Sequence, residues 1–318
     1  MTRSTPTREL FTVNAGSAAI PGTHHKCAGQ VKPTGVLMCN TGFLPRSSDA
    51  DSGVYWADCL ARSGYPAFRV DLPGLGDAAG QLPQPLLEFI NDGGYGPVLS
   101  AVVKELTARY ELGCMVLLGH CAGAVTVMYT AAMTPECKGL VLTDPYFHLE
   151  HEKADLVVAV KDWVMWGPMA QVSRHLFHTL RSVYLLVKRL QTTRAGSGRL
   201  PPNANLPMLR GCKQFLSNGV PMLVMQSHRW SATAAKGGLG QFDYLSYVQS
   251  SAGSNARMDV LSLDGIDHSF ATSAARKAVL ENTAQWLKKY FPPGLSKQQP
   301  EEQPEDQPAR LSQIYANS

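Results

Sequence analysis

Residues 114–133, CMVLLGHCAGAVTVMYTAAM, constrain the fold more than any other stretch. CMVLLG (114–119) is an almost unbroken apolar run, the pattern of a strand buried on both faces. AGAVTVMYTAAM (122–133) reads as a helix. Strand therefore passes into helix within Gly119-His120-Cys121-Ala122-Gly123. So sharp a turn leaves no room for a side chain at either glycine, because each would strike neighbouring backbone. It also lifts Cys121 above the sheet at a helix N-terminus, where unpaired N–H groups and the helix dipole favour a thiolate. A free cysteine is more often a small buried hydrophobe. That plainer role is assigned to Cys27, Cys39, Cys59, Cys114, Cys137 and Cys212, which lack this setting.

The flanking sequence repeats the alternation. Strand-like pieces occupy Glu9–Val13 and Ala18–Ile20, followed by the buried runs GVLMCN (35–40), PAFRVDLPG (66–74) and GLVLTD (139–144). Helix patterns fall at 53–63 and about 95–111. After an interruption come VPMLVMQ (220–226), MDVLSL (258–263) and a last helix over about 272–290, with Thr272 or Ser273 as its cap. Apolar strands alternating with amphipathic helices predict an α/β fold: a mostly parallel central sheet with helices on both faces. Residues 1–146 and 218–293 are expected to form this core.

Residues 147–217 break the pattern and are expected to form a helical cap, or lid, over the sheet. Val172, Leu176, Leu180, Val183, Val187 and Leu190 recur at helical spacing. Between 151 and 217 stand ten Lys or Arg against three Asp or Glu, a net of +7, interleaved with Trp163, Trp166, Phe177, Tyr184 and Phe215. The Gln/Glu/Pro-rich residues 294–318 have little to bury and are expected to be disordered. The overall net charge of +4 gives no support for nucleic-acid binding. With no CxxC pair, no zinc site or other cofactor is expected. The polar opening MTRSTPTREL lacks the apolar core of a signal peptide, and no run of 18 apolar residues spans a membrane. A cytoplasmic location suits a thiol enzyme of this kind.

A nucleophile of this type needs a base, and His268 in LDGIDHSF follows the last strand and precedes the last helix. His120 is expected to line the site, with Trp163 and Trp166 touching substrate from the lid. His148, His175, His178 and His228 are within reach of the pocket without any spacing that requires it. For the acid, Asp144 at the end of GLVLTD is favoured over Asp243, Asp264 and Asp267. A thiol, with a pKa near ~8.5, also tolerates a bare Cys–His pair. Oxyanion donors are expected from the Ala122 N–H and from the NTGF loop, with Gly42 and Phe43 favoured.

The series NTGF, DLPGLGDAAG, GHCAGA, GLVLTDP and GIDHSF resembles the α/β-hydrolase superfamily over roughly residues 10–290. Within it the chain is most similar to hydrolases associated with exosortase A gene clusters, themselves like serine-aminopeptidase or lysophospholipase enzymes. RVDLPGLGDAAG resembles their D-x-x-G-x-G-D-S-x-G segment and GIDHSF their G-x-D-H-x-F segment. The chain departs from them at SHRW (227–230), where an aspartate is common.

The resemblance implies acyl transfer by a Cys-His(-Asp) site through an acyl-enzyme. Thiolate chemistry moves the expected substrate toward thioesters, and a basic aromatic lid suits an acyl chain on coenzyme A or an acyl carrier protein. A small-molecule ester or lactone hydrolase of the dienelactone type is the alternative. A non-catalytic binding scaffold is a third.

Overall fold

The computed structural model describes residues 6–27, 33–149, 200–201, 203–227 and 242–292. Among these, eight strands form one sheet in the order β1-β2-β4-β3-β5-β6-β7-β8. They are β1 Arg8–Ala15, β2 Ala18–His25, β3 Thr34–Met38, β4 Ala67–Val70, β5 Cys114–His120, β6 Cys137–Thr143, β7 Met222–Ser227 and β8 Met258–Leu263. Strand β2 pairs antiparallel with both β1 and β4, whereas all pairs from β4 through β8 are parallel.

The continuous apolar runs serve two faces. Leu37, Met115, Leu117, Leu140, Leu142, Met222 and Val224 point into one core. Val36, Met38, Val116, Leu118, Val141, Leu223 and Met225 point into the other. This is the period-two alternation of a strand covered on both sides. Helices α1 (Ser52–Arg62) and α7 (Ser273–Tyr290) close the second face through Trp56, Ala57, Leu60, Val279, Trp286 and Leu287. The first is closed by α2 (Leu86–Asn91), α3 (Gly96–Arg109), α4 (Ala122–Ala132), α5 (Leu206–Ser217) and α6 (Tyr244–Ala252). Each fully buried Leu, Val or Met contributes roughly 1.5–3 kcal/mol by leaving water. Side-chain caps start three of these helices: Asn205 on α5, Asp243 on α6 and Thr272 on α7.

Residues 206–217, expected in the lid, belong to the core instead. Helix α5 buries Met208, Leu209, Cys212, Phe215 and Leu216 in the first core, so it is part of the helical layer. Phe147–Leu149 and Asn203–Asn205 run side by side at the two ends of what remains of the expected lid. These two stems are tied by Leu149 N–H to the Asn203 carbonyl (2.7 Å) and by Asn205 N–H to the Phe147 carbonyl (2.8 Å). The helix expected through Val172–Leu190, both lid tryptophans and the tail 294–318 lie outside the described residues. No helix of the described residues is long and apolar enough to cross a membrane.

Candidate active site

The C-terminal ends of β5, β6, β7 and β8 carry the residues of interest to one edge of the sheet, the usual ligand edge of a parallel sheet. Cys121 adopts φ 51°, ψ −117° between β5 and α4, a backbone conformation that non-glycine residues rarely hold. Its N–H donates to the Thr143 carbonyl (3.0 Å), and its own carbonyl accepts from Ala124 N–H (3.0 Å). The flanking glycines are required by contact. A Cβ on Gly119 would lie 2.5 Å from the Gly123 carbonyl oxygen, and one on Gly123 would lie 2.7 Å from that of Asn40. Ala122 is the first residue of α4, so its N–H has no intrahelical acceptor. Gly42 has φ 54°, and a Cβ on it would lie 4.0 Å from the Ala122 Cβ. The turn containing it is closed by Leu44 N–H to the Thr41 carbonyl (3.0 Å). The Phe43 side chain is 65% exposed.

Asp144 leaves the end of β6 at φ 47° and is fully buried. Its N–H donates to the Met225 carbonyl (2.9 Å). Three donors converge on its carboxylate: the Ser227 N–H (2.6 Å), the Ser227 hydroxyl (2.7 Å) and His268 Nδ1 (2.8 Å). Ser227, at the start of SHRW, is a site residue the sequence did not single out. It donates twice to a carboxylate that follows the neighbouring strand β6. The competing carboxylates have other work. Asp243 caps α6 through Ser246 N–H (3.0 Å), Asp267 binds the Ser269 N–H (2.9 Å), and Asp264 accepts from the Ser262 hydroxyl (3.2 Å).

His268 lies in the loop between β8 and α7. Phe270, fully buried, anchors that loop and packs edge-on against the His120 ring at 5.1 Å. Burial presses the His268 pKa down, but hydrogen bonds to Asp144 and Cys121, and the charge of both, carry it up to about 9. His268 is thus an imidazolium at neutral pH, with the Asp144 carboxylate on Nδ1 and the Cys121 sulfur beside it.

His120, expected to line the site, packs against His268 as a buried residue. It is 6% exposed, its ring lies 4.8 Å from that of His268, and its Nδ1 is 3.0 Å from the Thr143 hydroxyl. Burial, then the His268 charge, hold its pKa down to about 4, so it is a neutral floor beneath His268. His148 is buried at the stem, where its backbone bridges Ala204. Trp163, Trp166, His175, His178 and His228 lie outside the described residues. Among the described residues no group of three or more His, Cys, Asp or Glu could hold a metal ion.

Comparison with known proteins gives the same architecture. A dienelactone hydrolase from Anabaena variabilis superposes with a TM-score of 0.51 at 13% identity, over 91% of this chain and 100% of that one. A thermophilic esterase from Thermogutta terrifontis gives 0.51 at 16% identity, over 90% and 99%. An esterase from Pyrococcus furiosus gives 0.54 at 12% identity, over 90% and 92%. Identities this low speak for fold alone. No curated protein matches the sequence. The family model for the alpha/beta hydrolase fold matches residues 35–199, more than half of the 318 residues. The chain belongs to the alpha/beta hydrolase fold family.

Proposed function

We propose that the chain is an acyl-transferring hydrolase or acyltransferase that uses Cys121 as nucleophile, His268 as base and acid, and Asp144 as the group that orients His268. One observation carries this reading: His268 gives Nδ1 to Asp144 at 2.8 Å while it also bonds the Cys121 sulfur. In the forward step the Cys121 thiolate attacks the carbonyl carbon of a thioester. The oxyanion is held by the Ala122 N–H and an N–H of Gly42 or Phe43. As the tetrahedral adduct collapses, the substrate C–S bond breaks and the departing thiolate takes the proton of the His268 imidazolium. Neutral His268 then removes a proton from water or an acceptor, which attacks the acyl-enzyme. Cys121 leaves as thiolate and the ion pair is restored.

A thiolate exchanges with a thioester at little change in leaving-group quality, which favours thioesters over amides. The net +5 of residues 151–205, once α5 is set apart, and their Trp163, Trp166, Phe177 and Tyr184 support an acyl chain on an anionic carrier, coenzyme A or an acyl carrier protein. The contact of Asp144 with His268 Nδ1 weighs against a non-catalytic scaffold, whose support is the lack of an aspartate near 227–230.

The test is a substrate panel of octanoyl-CoA against p-nitrophenyl octanoate and small lactones, run on the wild type and on Cys121→Ala. Octanoyl-CoA is expected to be preferred in kcat/KM, with turnover lost in the variant. Turnover of esters and lactones alone would move the reading to the dienelactone-type alternative. Turnover that survives Cys121→Ala would contradict it.

A further inference from the structure

A buried carboxylate lies outside the Cys121–His268–Asp144 group. Asp71, after β4, is fully buried. Oδ1 accepts from Asn40 Nδ2 (2.7 Å) and from the Arg46 N–H (2.7 Å). Oδ2 accepts from the Asp77 N–H (3.1 Å) and from the Arg46 guanidinium, which also reaches Asp77 at 2.7 Å. Asn40 adds two bonds of its own, from Nδ2 to the Leu44 carbonyl (3.0 Å) and from the Leu72 N–H to Oδ1 (2.7 Å). Arg69 holds the Arg46 carbonyl at 3.0 Å. Gly76, at φ 53°, lies so close over Asp71 that a Cβ there would overlap the carboxylate. That accounts for the second glycine of DLPGLG.

The geometry is that of a bracket. Asn40 and Arg46 flank the loop 41–45, and both hang from the same Asp71 oxygen. Within the loop, a Cβ on Gly42 would lie 4.0 Å from the Ala122 Cβ, so the loop packs beside the start of α4, and Gly123 is bare where the Asn40 carbonyl meets α4. A buried carboxylate costs several kcal/mol unless every lone pair is satisfied, and well-packed apolar residues hold two loops together at no such cost. A carboxylate with four donors is therefore better suited to fixing one geometry than to adding stability.

We propose that Asp71, acting through Asn40 and Arg46, is a positioning residue that sets the second oxyanion donor, the Gly42 or Phe43 N–H, opposite the Ala122 N–H. The inference rests on the acyl-transfer reading above. It makes a distinction that a structural role does not. Alkylation of Cys121 by iodoacetamide displaces iodide and builds no oxyanion, so it reports the Cys121–His268 pair alone. Acyl transfer needs the oxyanion donors as well.

The experiment measures octanoyl-CoA turnover and the rate of Cys121 alkylation by iodoacetamide in wild type, Cys121→Ala, Asp71→Asn and Arg46→Gln. The last keeps the backbone N–H and guards against a failure of Asp71→Asn to fold. A donor displaced by about 1 Å costs about 100-fold. Asp71→Asn is expected to lose about that much kcat and Arg46→Gln about tenfold. KM and the alkylation rate should stay within about twofold of wild type. Unchanged kcat in the folded variants, or alkylation falling in parallel with kcat, would overturn the bracket and leave the nucleophile reading standing. Turnover that survives Cys121→Ala would overturn both.

Discussion

Among the described residues, two histidine–aspartate pairs have nearly the same geometry. His268 Nδ1 meets Asp144 at 2.8 Å, and His25 Nδ1 meets Asp58 at 2.6 Å. What differs is the far nitrogen. His25 Nε2 accepts from Arg69 Nε–H at 2.9 Å, which fixes a neutral ring with its proton on Nδ1. Burial, against the pull of Asp58, holds its pKa down to about 4. His268 has a sulfur beside it instead, and its pKa stands at about 9. His25 is 0% exposed, whereas His268 is 35% exposed. A His–Asp contact is therefore no signature of catalysis. The group at the other nitrogen, and access to it, decides whether the ring can move a proton.

The largest break in this comparison comes from Asp144→Asn. It should cost activity on the order of 10²–10⁴-fold, and its test is kcat/KM on octanoyl-CoA with a thermal melt to establish folding. In the same variant the His268 titration, followed by NMR, should fall from about 9 toward the ordinary value near 6.5. Asp58→Asn should do the reverse. Arg8 and His25 lose a partner at 2.5 and 2.6 Å, so stability falls by about 1–3 kcal/mol in urea unfolding while kcat/KM stays within about threefold. The smallest effect is Ser227→Ala. Asp144 keeps the Ser227 N–H and loses only the hydroxyl donor, so kcat should fall about tenfold and Ser227→Thr should restore most of it.

The two pairs also answer pH with opposite sign. The folded pKa of His268 is raised, so its contribution to stability is full below about 6.5 and is lost as pH rises through about 9. The folded pKa of His25 is lowered, as are those of His24 and His120. Their contribution is present above about 6.5 and is lost as pH falls toward about 4. Melting temperature against pH should therefore decline steeply on the acid side. Asp144→Asn should flatten only the alkaline limb.

Much of the architecture was legible because local signals agreed. Strand, turn and helix around Cys121 are fixed by two glycines that contact alone explains. β8 matches the run MDVLSL, and Thr272 caps α7 as its position suggested. His268 was legible from chain order. Asp144 was one of four carboxylates because a cap, a turn and a buried site all use aspartate, and only packing separates them. Ser227 was illegible because its role depends on the parallel register that sets β7 beside β6. The Asp71 bracket likewise joins residues from separate loops. Helix α5 was different. Its apolar residues Met208, Leu209, Cys212, Phe215 and Leu216 do recur at helical spacing. The sequence puts them in the lid because the strand–helix alternation resumes only at VPMLVMQ (220–226), and helical spacing alone does not say which layer a helix joins.

The most direct measurement of the central claim is intact-protein mass spectrometry after mixing wild type with octanoyl-CoA and quenching in acid within a turnover. The account predicts one octanoyl group, mapped by peptide analysis to Cys121, and none in Cys121→Ala. An acyl group on another cysteine, or turnover of octanoyl-CoA with no covalent acyl-enzyme at all, would contradict it.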